Sequence, residues 1–315
     1  MSADPKIAIL LSTYNGAKFL QEQLDSLLNQ TYLNTVIVIR DDCSSDPTPE
    51  LVSHYADSHP DKIHVVANDN QNLGASGSFS FLIEYVLANK PLLQLDAAYM
   101  MFCDQDDVWY SDKIEKQVKA ILAVEAEGSE DESDGVPVLV HTDLQVVSEE
   151  NQAIAESLVR YQGLEIERNR FSNMVISNLV TGCTTLINEP LARKAVPVSG
   201  QAIMHDWWLA LVAAAFGKVI FLDAPSVHYR QHGSNTIGAK EFVKPKPASR
   251  SFWRKVFSRK PNEHLIEVAL QASEFRQRFG AQLSLKENLG LRISACMAAR
   301  VGIIQRLFYR IARRF

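Results

Sequence analysis

Residues 98–107 read AYMMFCDQDD: an unbroken apolar run that ends in three carboxylates within four positions. A short apolar run bounded by polar residues is the pattern of a strand buried on both faces. Carboxylates crowded at its C-terminal end repel one another unless water or a cation neutralises them. Toward the N-terminus the same pattern recurs in Lys6–Ser12 (KIAILLS), Thr35–Arg40 (TVIVIR) and Lys62–Ala67 (KIHVVA). Between these runs, Lys18–Asn29, Thr48–Ser58 and Phe79–Ala88 carry apolar residues at helical spacing. This β-α-β-α-β-α-β order predicts an α/β fold, a mostly parallel central sheet with helices on both faces. Such sheets bind ligands beyond the carboxyl ends of their strands. Three polar clusters fall there: Ser12-Thr13-Tyr14, Asp41-Asp42 and Asp104 to Asp107.

Toward the C-terminus, residues 112–126 read as a helix and Glu127–Gly135 as an acidic solvated loop. Val136–His141, Asp143–Val147 and Lys218–Leu222 read as strands, and Val180–Asn188 as a strand kinked at Gly182. Helical signals run through 155–180, and Asp206 precedes an apolar helix that ends at Phe216. Pro225–Gly238 reads as a long polar loop, and Pro245 with Pro247 as a linker. The expected organisation is a catalytic domain over 1–240, with a nucleotide half (1–110) and an acceptor half (111–240). A basic helical C-terminal extension over 241–315 follows.

Composition narrows the class. With 46% hydrophobic and 22% charged residues among 315, the chain has the balance of a soluble protein with a substantial core. Its longest apolar run, Trp207–Phe216, is too short to span a bilayer. MSADPKIAILLS lacks the basic, then apolar, pattern of a secretory leader. Four scattered cysteines without a CxxC pair argue against a zinc site or a disulfide framework. A cytoplasmic location is expected. The net charge of −5 is uneven, because residues 241–315 hold 16 Lys and Arg against 5 Asp and Glu. Within that tail, Ile293, Met297, Val301, Ile304, Phe308, Ile311 and Phe315 recur at intervals of three and four, with arginines mostly opposite. This predicts one basic amphipathic helix. Two uses stay open: peripheral contact with anionic lipid, or packing on the acidic body or a second subunit. Nucleic acid is disfavoured by the acidic body and by the few aromatic residues in the tail.

The chemistry follows from the strand ends. The acidic cluster Asp104-Gln105-Asp106-Asp107 suits Mg²⁺ or Mn²⁺, which take oxygen ligands and bridge carboxylates to phosphates. No GxxxxGK[ST] and no GxGxxG follows the first strand, so neither a P-loop ATPase nor a nicotinamide enzyme is indicated. Asp42 could accept a hydrogen bond from a base N–H, and Tyr14 offers a stacking face. Helix capping and turn formation explain the Asp41–Asp46 stretch equally well.

Taken in order, Ser12-Thr13-Tyr14-Asn15-Gly16, Arg40 to Asp46, Asn72-Leu73-Gly74 and Asp104 to Trp109 resemble glycosyltransferase family 2, the inverting GT-A class. His205-Asp206-Trp207-Trp208 and Tyr229 to Asn235 are similar to its bacterial rhamnosyltransferase-like branch. The resemblance covers about residues 6–238. It implies a GT-A, Rossmann-like fold for nucleotide-diphospho-sugar transferases and the following roles. Ser12, Thr13, Tyr14 and Asp42 would hold the base, and Asp104 the ribose side of the donor. Asp106 would ligate the metal, and Asp206 would be the general base. His228 or His232 could complete the metal shell, with His232 preferred because it lies in the Arg-Gln-His element. Arg230 could pair with diphosphate oxygens. His205 would either tune Asp206 or simply pack. Thr181-Gly182-Cys183 would line the acceptor side, with Cys183 small and buried.

The expected activity is transfer of rhamnose from dTDP-rhamnose to a bacterial surface-glycan acceptor, free or lipid-linked. A UDP-hexose donor is the nearest alternative. A nucleotidyltransferase would need a Gly-rich basic loop after the first strand, which Ser12–Gly16 lacks. A non-catalytic, membrane-associated module sits poorly with intact Asp106 and Asp206. No Gln-x-x-Arg-Trp element of processive synthases is present, which points to addition of one or a few sugars. Oligomerisation is left open.

Overall fold

A computed structural model describes residues 4–67, 70–127, 135–233 and 260–314. The Pro245–Pro247 linker, the 240/241 boundary and Phe315 lie outside these residues. The N-terminal part of the chain runs β1 (Ile7–Thr13), α1 (Ala17–Leu28), β2 (Thr35–Asp41), α2 (Thr48–Ser58), β3 (Ile63–Val65), α3 (Gly74–Ala88) and β4 (Tyr99–Cys103). There follow β5 (Val108–Trp109), α4 (Lys113–Ala126), β6 (Val138–Val147), β7 (Ala153–Ala155), α5 (Leu158–Gln162) and α6 (Phe171–Met174). Then come β8 (Thr185–Ile187), α7 (Glu189–Ala195), α8 (His205–Phe216) and β9 (Lys218–Arg230). The C-terminal helices are α9 (Glu263–Phe279), α10 (Leu285–Ala295) and α11 (Gly302–Ala312).

The strands form one sheet in the order β3-β2-β1-β4-β8-β6-β9-β5, with β7 beside β6. β1 through β4 are parallel to one another, as the alternation predicts. The sheet becomes mixed beyond β4, because β8 runs antiparallel to both β4 and β6. β1 explains why its sequence is apolar throughout. Ala8 and Leu10 belong to the core under α3, α7 and α8. Ile7, Ile9 and Leu11 belong to the opposite core under α1 and α4. Alternate side chains thus meet covered faces on both sides.

Two expectations are corrected. Pro225–Arg230 is not loop but the outer half of β9, paired with β5 and β6. Its polar residues satisfied a loop pattern, yet Val227 is fully buried and Tyr110 N–H donates to Ser226 O at 2.9 Å. The amphipathic stripe is not one helix. α10 ends at Ala295, a tight turn spans Cys296–Ala298, and Val301 is extended before α11 begins. The break lets Gln305, fully buried, donate to Met297 O and Asn262 O while accepting Asn262 N–H. A continuous helix would leave those backbone groups without this partner.

The tail is part of the main core. Phe275 and Phe279 set their rings 5.4 and 6.1 Å from that of Trp208 on α8. α8 can therefore be apolar on every side: all residues from His205 to Ala213 are buried. Truncating a buried aromatic leaves a cavity as well as lost transfer energy. Phe275→Ala is expected to cost about 3–5 kcal/mol and to lower a single cooperative unfolding transition followed by near-ultraviolet circular dichroism. A fall confined to a separate, minor transition would mean that the tail folds apart from the sheet.

Candidate active site

The strand ends converge on a cleft of about 1220 Å³, lined on one side by Ser12, Tyr14, Asp42, Asn72, Asp104 and Asp106. Its other side is made by Asn178 to Gly182 and His205 to Trp207. That volume is large for a small-molecule site and suits two substrates together.

Hydrogen bonds knit the nucleotide-side loops. Tyr14 N–H donates to Gln105 Oε1 at 2.7 Å, and Gln105 Nε2 donates back to Tyr14 O at 2.9 Å. Gly16 is required for this bracket, because a Cβ there would lie 2.1 Å from Gln105 Oε1. Asn15 takes a left-handed φ of 49° and accepts Ser45 N–H at 2.8 Å through its side chain. Asp46 accepts the N–H groups of Ala17 and Thr48, which is the structural role its sequence suggested. The half-exposed Tyr14 ring stays at the cleft wall (51% exposed).

Thr13 does not reach the cleft. It is fully buried, and its hydroxyl donates to Asp41 Oδ1 at 2.9 Å. Ser12 lines the cleft and donates to Ser78 Oγ at 2.8 Å. Asp42 also lines it, but its oxygens already serve the chain. They accept Leu73 N–H and Gly74 N–H, each at 2.8 Å, and pair with the buried Arg40. Arg40 is a site-organising residue that sequence reasoning missed, although a lone arginine closing an apolar strand was a visible signal.

Asp104, Asp106 and Asp206 lie about a hundred residues apart in sequence at most, and the fold brings them into mutual electrostatic reach. Burial first, then the charges of Asp106 and Asp206, push Asp104 up to about 7. Asp206 sits in the first turn of α8. Met204, not Asp206, is the N-cap, so the plain capping alternative does not hold. Asp206 Oδ2 accepts Gly182 N–H at 2.9 Å, and Oδ1 accepts Trp207 N–H at 2.5 Å. Asn178, also missed in the sequence, donates weakly to Oδ1 at 3.4 Å. Burial outweighs these bonds and pushes Asp206 up to about 6. Gly182 permits the close approach expected of it, because a Cβ would stand 3.0 Å from His205 Nε2. His205 packs between Phe79 and Phe102 at ring separations of 4.2 and 5.1 Å. Burial drives it down to about 3, so it is neutral and acts by packing.

His232 Nε2 lies 2.8 Å from Asp106 Oδ2, a nitrogen and a carboxylate oxygen meeting beside the cleft. That pair fits Mn²⁺ or Mg²⁺, with the remaining ligands coming from a diphosphate and water. Asp104, Asp107 and Cys183 also cluster, their ligand atoms within 4.8 Å. Asp107 and Cys183 are fully buried, however, and a thiol is a poor ligand for hard ions. His228 instead packs its ring, tilted by 43°, against that of Tyr110 at 4.6 Å. Arg230 is corrected. Its guanidinium donates to Asp106 O at 2.9 Å, Glu149 O at 2.7 Å and Glu22 Oε2 at 2.7 Å. It is buried and is not among the cleft-lining residues. It therefore holds the Asp106 loop in place from behind, where the sequence suggested a diphosphate contact.

The chain is similar to known glycosyltransferases in sequence and in fold. The family model described as Glycosyl transferase family 2 matches residues 8–130. The dTDP-rhamnosyl transferase RfbG of Shigella flexneri is 27% identical over 244 residues, 75% of this chain and 76% of that one. Among solved structures, S. aureus TarS 1-349 in complex with UDP-GlcNAc superposes with a TM-score of 0.54. The identity is 14%, over 98% of this chain and 92% of the other. The mannosyltransferase PcManGT from Pyrobaculum calidifontis, in complex with GDP-Man and Mn²⁺, gives 0.50 at 17% identity, over 99% and 81%. The shared fold is GT-A.

A base must be ionised to take a proton, so if Asp206 has the general-base role expected from the sequence, kcat/KM for glycosyl transfer should rise through pH 6 as it loses its proton. Asp206→Asn should lower kcat by about 10²–10⁴ and remove that limb of the pH profile. The folded chain holds this proton more tightly than the unfolded chain, so ionised Asp206 is a cost to stability above about pH 6. The variant should accordingly melt no lower than the parent at pH 7.5.

Proposed function

We propose that this chain, whose residues 8–130 match the Glycosyl transferase family 2 model, is a glycosyltransferase that transfers one sugar, with inversion, from a nucleoside diphosphate. The donor is dTDP-rhamnose, and the acceptor is a hydroxyl of a bacterial surface-glycan precursor of the O-antigen, capsule or exopolysaccharide kind. One observation carries the reading. Asp106, in the loop after β4, and Asp206, in the first turn of α8, line one cleft large enough for both substrates. The similarity to a dTDP-rhamnosyl transferase over three quarters of the chain supports this donor.

The chemistry follows from the residues. Tyr14 presents its ring to the base, while Ser12 and Asp42 line the same wall. Asp104 faces the ribose side of the donor. Asp106 and His232 would hold a divalent cation, whose positive charge would offset the negative charge growing on the leaving diphosphate. Asp206 takes the proton of the acceptor hydroxyl as its oxygen attacks the anomeric carbon from the face opposite the leaving group. The Gly182 and Trp207 N–H groups fix that carboxylate, so its lone pair is aimed before the acceptor arrives. The reaction belongs in the cytoplasm, at the membrane's inner face, where the basic C-terminal helix meets a lipid-carried acceptor. No helix among the described residues is long and apolar enough to cross a membrane.

A panel of dTDP, UDP and GDP with their sugars, each with and without Mn²⁺, tests the reading by thermal shift. A ligand at about a hundred times its Kd adds about 2.7 kcal/mol to the folded state. The expected result is metal-dependent stabilisation by dTDP and dTDP-rhamnose that is lost in Asp106→Ala. Equal stabilisation of parent and variant would remove Asp106 from the metal site. Preference for UDP-sugars would replace the donor.

A further inference from the structure

A second cavity, of about 210 Å³, lies between α6, α10 and the end of α11, and it shares no lining residue with the cleft. Phe171, Val175, Leu291 and Ala312 form the apolar part of its lining, and all four are buried. Ser294 lines it beside them. This serine is 1% exposed, and its hydroxyl has no hydrogen-bond partner among the described residues. A hydroxyl buried without a partner costs about 1–3 kcal/mol, and a ligand oxygen in the cavity would remove that cost.

Two cations stand at the exposed edge. Arg170 and Lys286 both line the cavity, and neither pairs with a carboxylate among the described residues. Glu287, the acid of the lining, is already engaged. Its Oε2 accepts the Ser284 N–H at 2.9 Å and the Ser284 hydroxyl at 2.7 Å. The Glu287 N–H donates back to Ser284 Oγ at 3.3 Å, so the start of α10 is capped from within. An anion here is therefore met by the Arg170 and Lys286 side chains and not by the helix end.

Size and chemistry narrow the occupant. A cavity of about 150 Å³ takes benzene, so this one takes a single six-membered ring with its charged group at the edge. Two cations match the charge of about −1.5 to −2 on a phosphate monoester at pH 7, whereas a carboxylate carries one charge. A hydrocarbon ring would leave the Ser294 hydroxyl unpaired. A sugar ring offers hydroxyls to Ser294 and Ser172 and can turn its C–H face to Phe171.

The chain itself joins this cavity to the proposed base. Phe171 and Ser172 belong to α6, and Val175 follows it directly. Between them Met174 O accepts Trp207 Nε1–H at 2.6 Å. The next residues, Ile176 to Gly182, line the cleft and end in the N–H that binds Asp206. We propose that the cavity is a second ligand site for the phosphate monoester of a single sugar ring, and that its occupant braces α6 and the segment leading from it to Asp206.

The full chain is titrated by calorimetry with glucose 1-phosphate, glucose and inorganic phosphate. Glucose 1-phosphate should bind more tightly than either other probe by about tenfold. Arg170→Gln should weaken it about tenfold, and Arg170→Lys should restore part of the loss. Ser294→Ala should weaken it about threefold. Arg170 is exposed, so its variants should melt with the parent. Binding should persist in Asp106→Ala, because the cleft takes no part. Saturating glucose 1-phosphate should also slow hydrogen exchange in peptides covering residues 171–182. No binding of glucose 1-phosphate, unchanged affinity in Arg170→Gln, or loss of binding in Asp106→Ala would each overturn the site. Equal affinity for inorganic phosphate would overturn the sugar ring as its ligand, and unchanged exchange over 171–182 would overturn the bracing of α6.

Discussion

Carboxylates gathered in a partly dry cleft repel one another, and the construction of this protein answers that constraint. Asp104, Asp106, Asp107 and Asp206 meet at the carboxyl ends of the sheet, where burial raises the cost of charge on Asp104, Asp107 and Asp206. Each acid has a different local remedy. Asp107 accepts the Arg230 N–H and lies in the field of Lys113, itself fully buried and pushed down to about 7. Asp206 is held by backbone N–H groups of its own helix and of Gly182. Asp106 meets His232. Asp104 keeps the least support and is pushed furthest among those that line the cleft, so it gains most from a cation nearby.

Rigid connections keep these acids in register with the nucleotide loops. Gln105 occupies the position between Asp104 and Asp106, and its side chain is bonded at both ends to the Tyr14 backbone. The loop that presents an aromatic face and the loop that presents the acids therefore act as one piece. Arg230 closes the assembly from behind, joining the Asp106 backbone to Glu22 on α1 and to Glu149 beyond β6. Preorganisation of this kind is what electrostatic stabilisation of a leaving diphosphate requires.

Much of this was legible in the sequence because β1 to β4 are buried on both faces, and continuous apolar runs announce that directly. The polar clusters at their ends were legible for the same reason. What could not be read was pairing at a distance. Pro225–Arg230 looks like a loop until β5 and β6 supply its partners. The end of Arg230 looked free for phosphate until the fold surrounded it with Asp106, Glu149 and Glu22. Thr13 seemed a cleft residue by position, but strand alternation turned its hydroxyl to Asp41. The stripe from Ile293 onward kept a helical period across a turn, since periodicity does not register where the chain folds back. Asp206 was visible only through the resemblance, since an acid before an apolar helix is ordinary in itself.

The packing of α9 on Trp208 bears on how the chain is made. α8 carries Asp206 and is buried on all sides, yet one of its covers is written some sixty residues later. During synthesis the sheet and its nucleotide loops can form first, while Trp208 and its neighbours still face water or a chaperone. The proposed base is fixed in place only after the last helices have emerged and closed over it. A nascent or clipped chain thus lacks the cover that holds α8, and with it Asp206, in place.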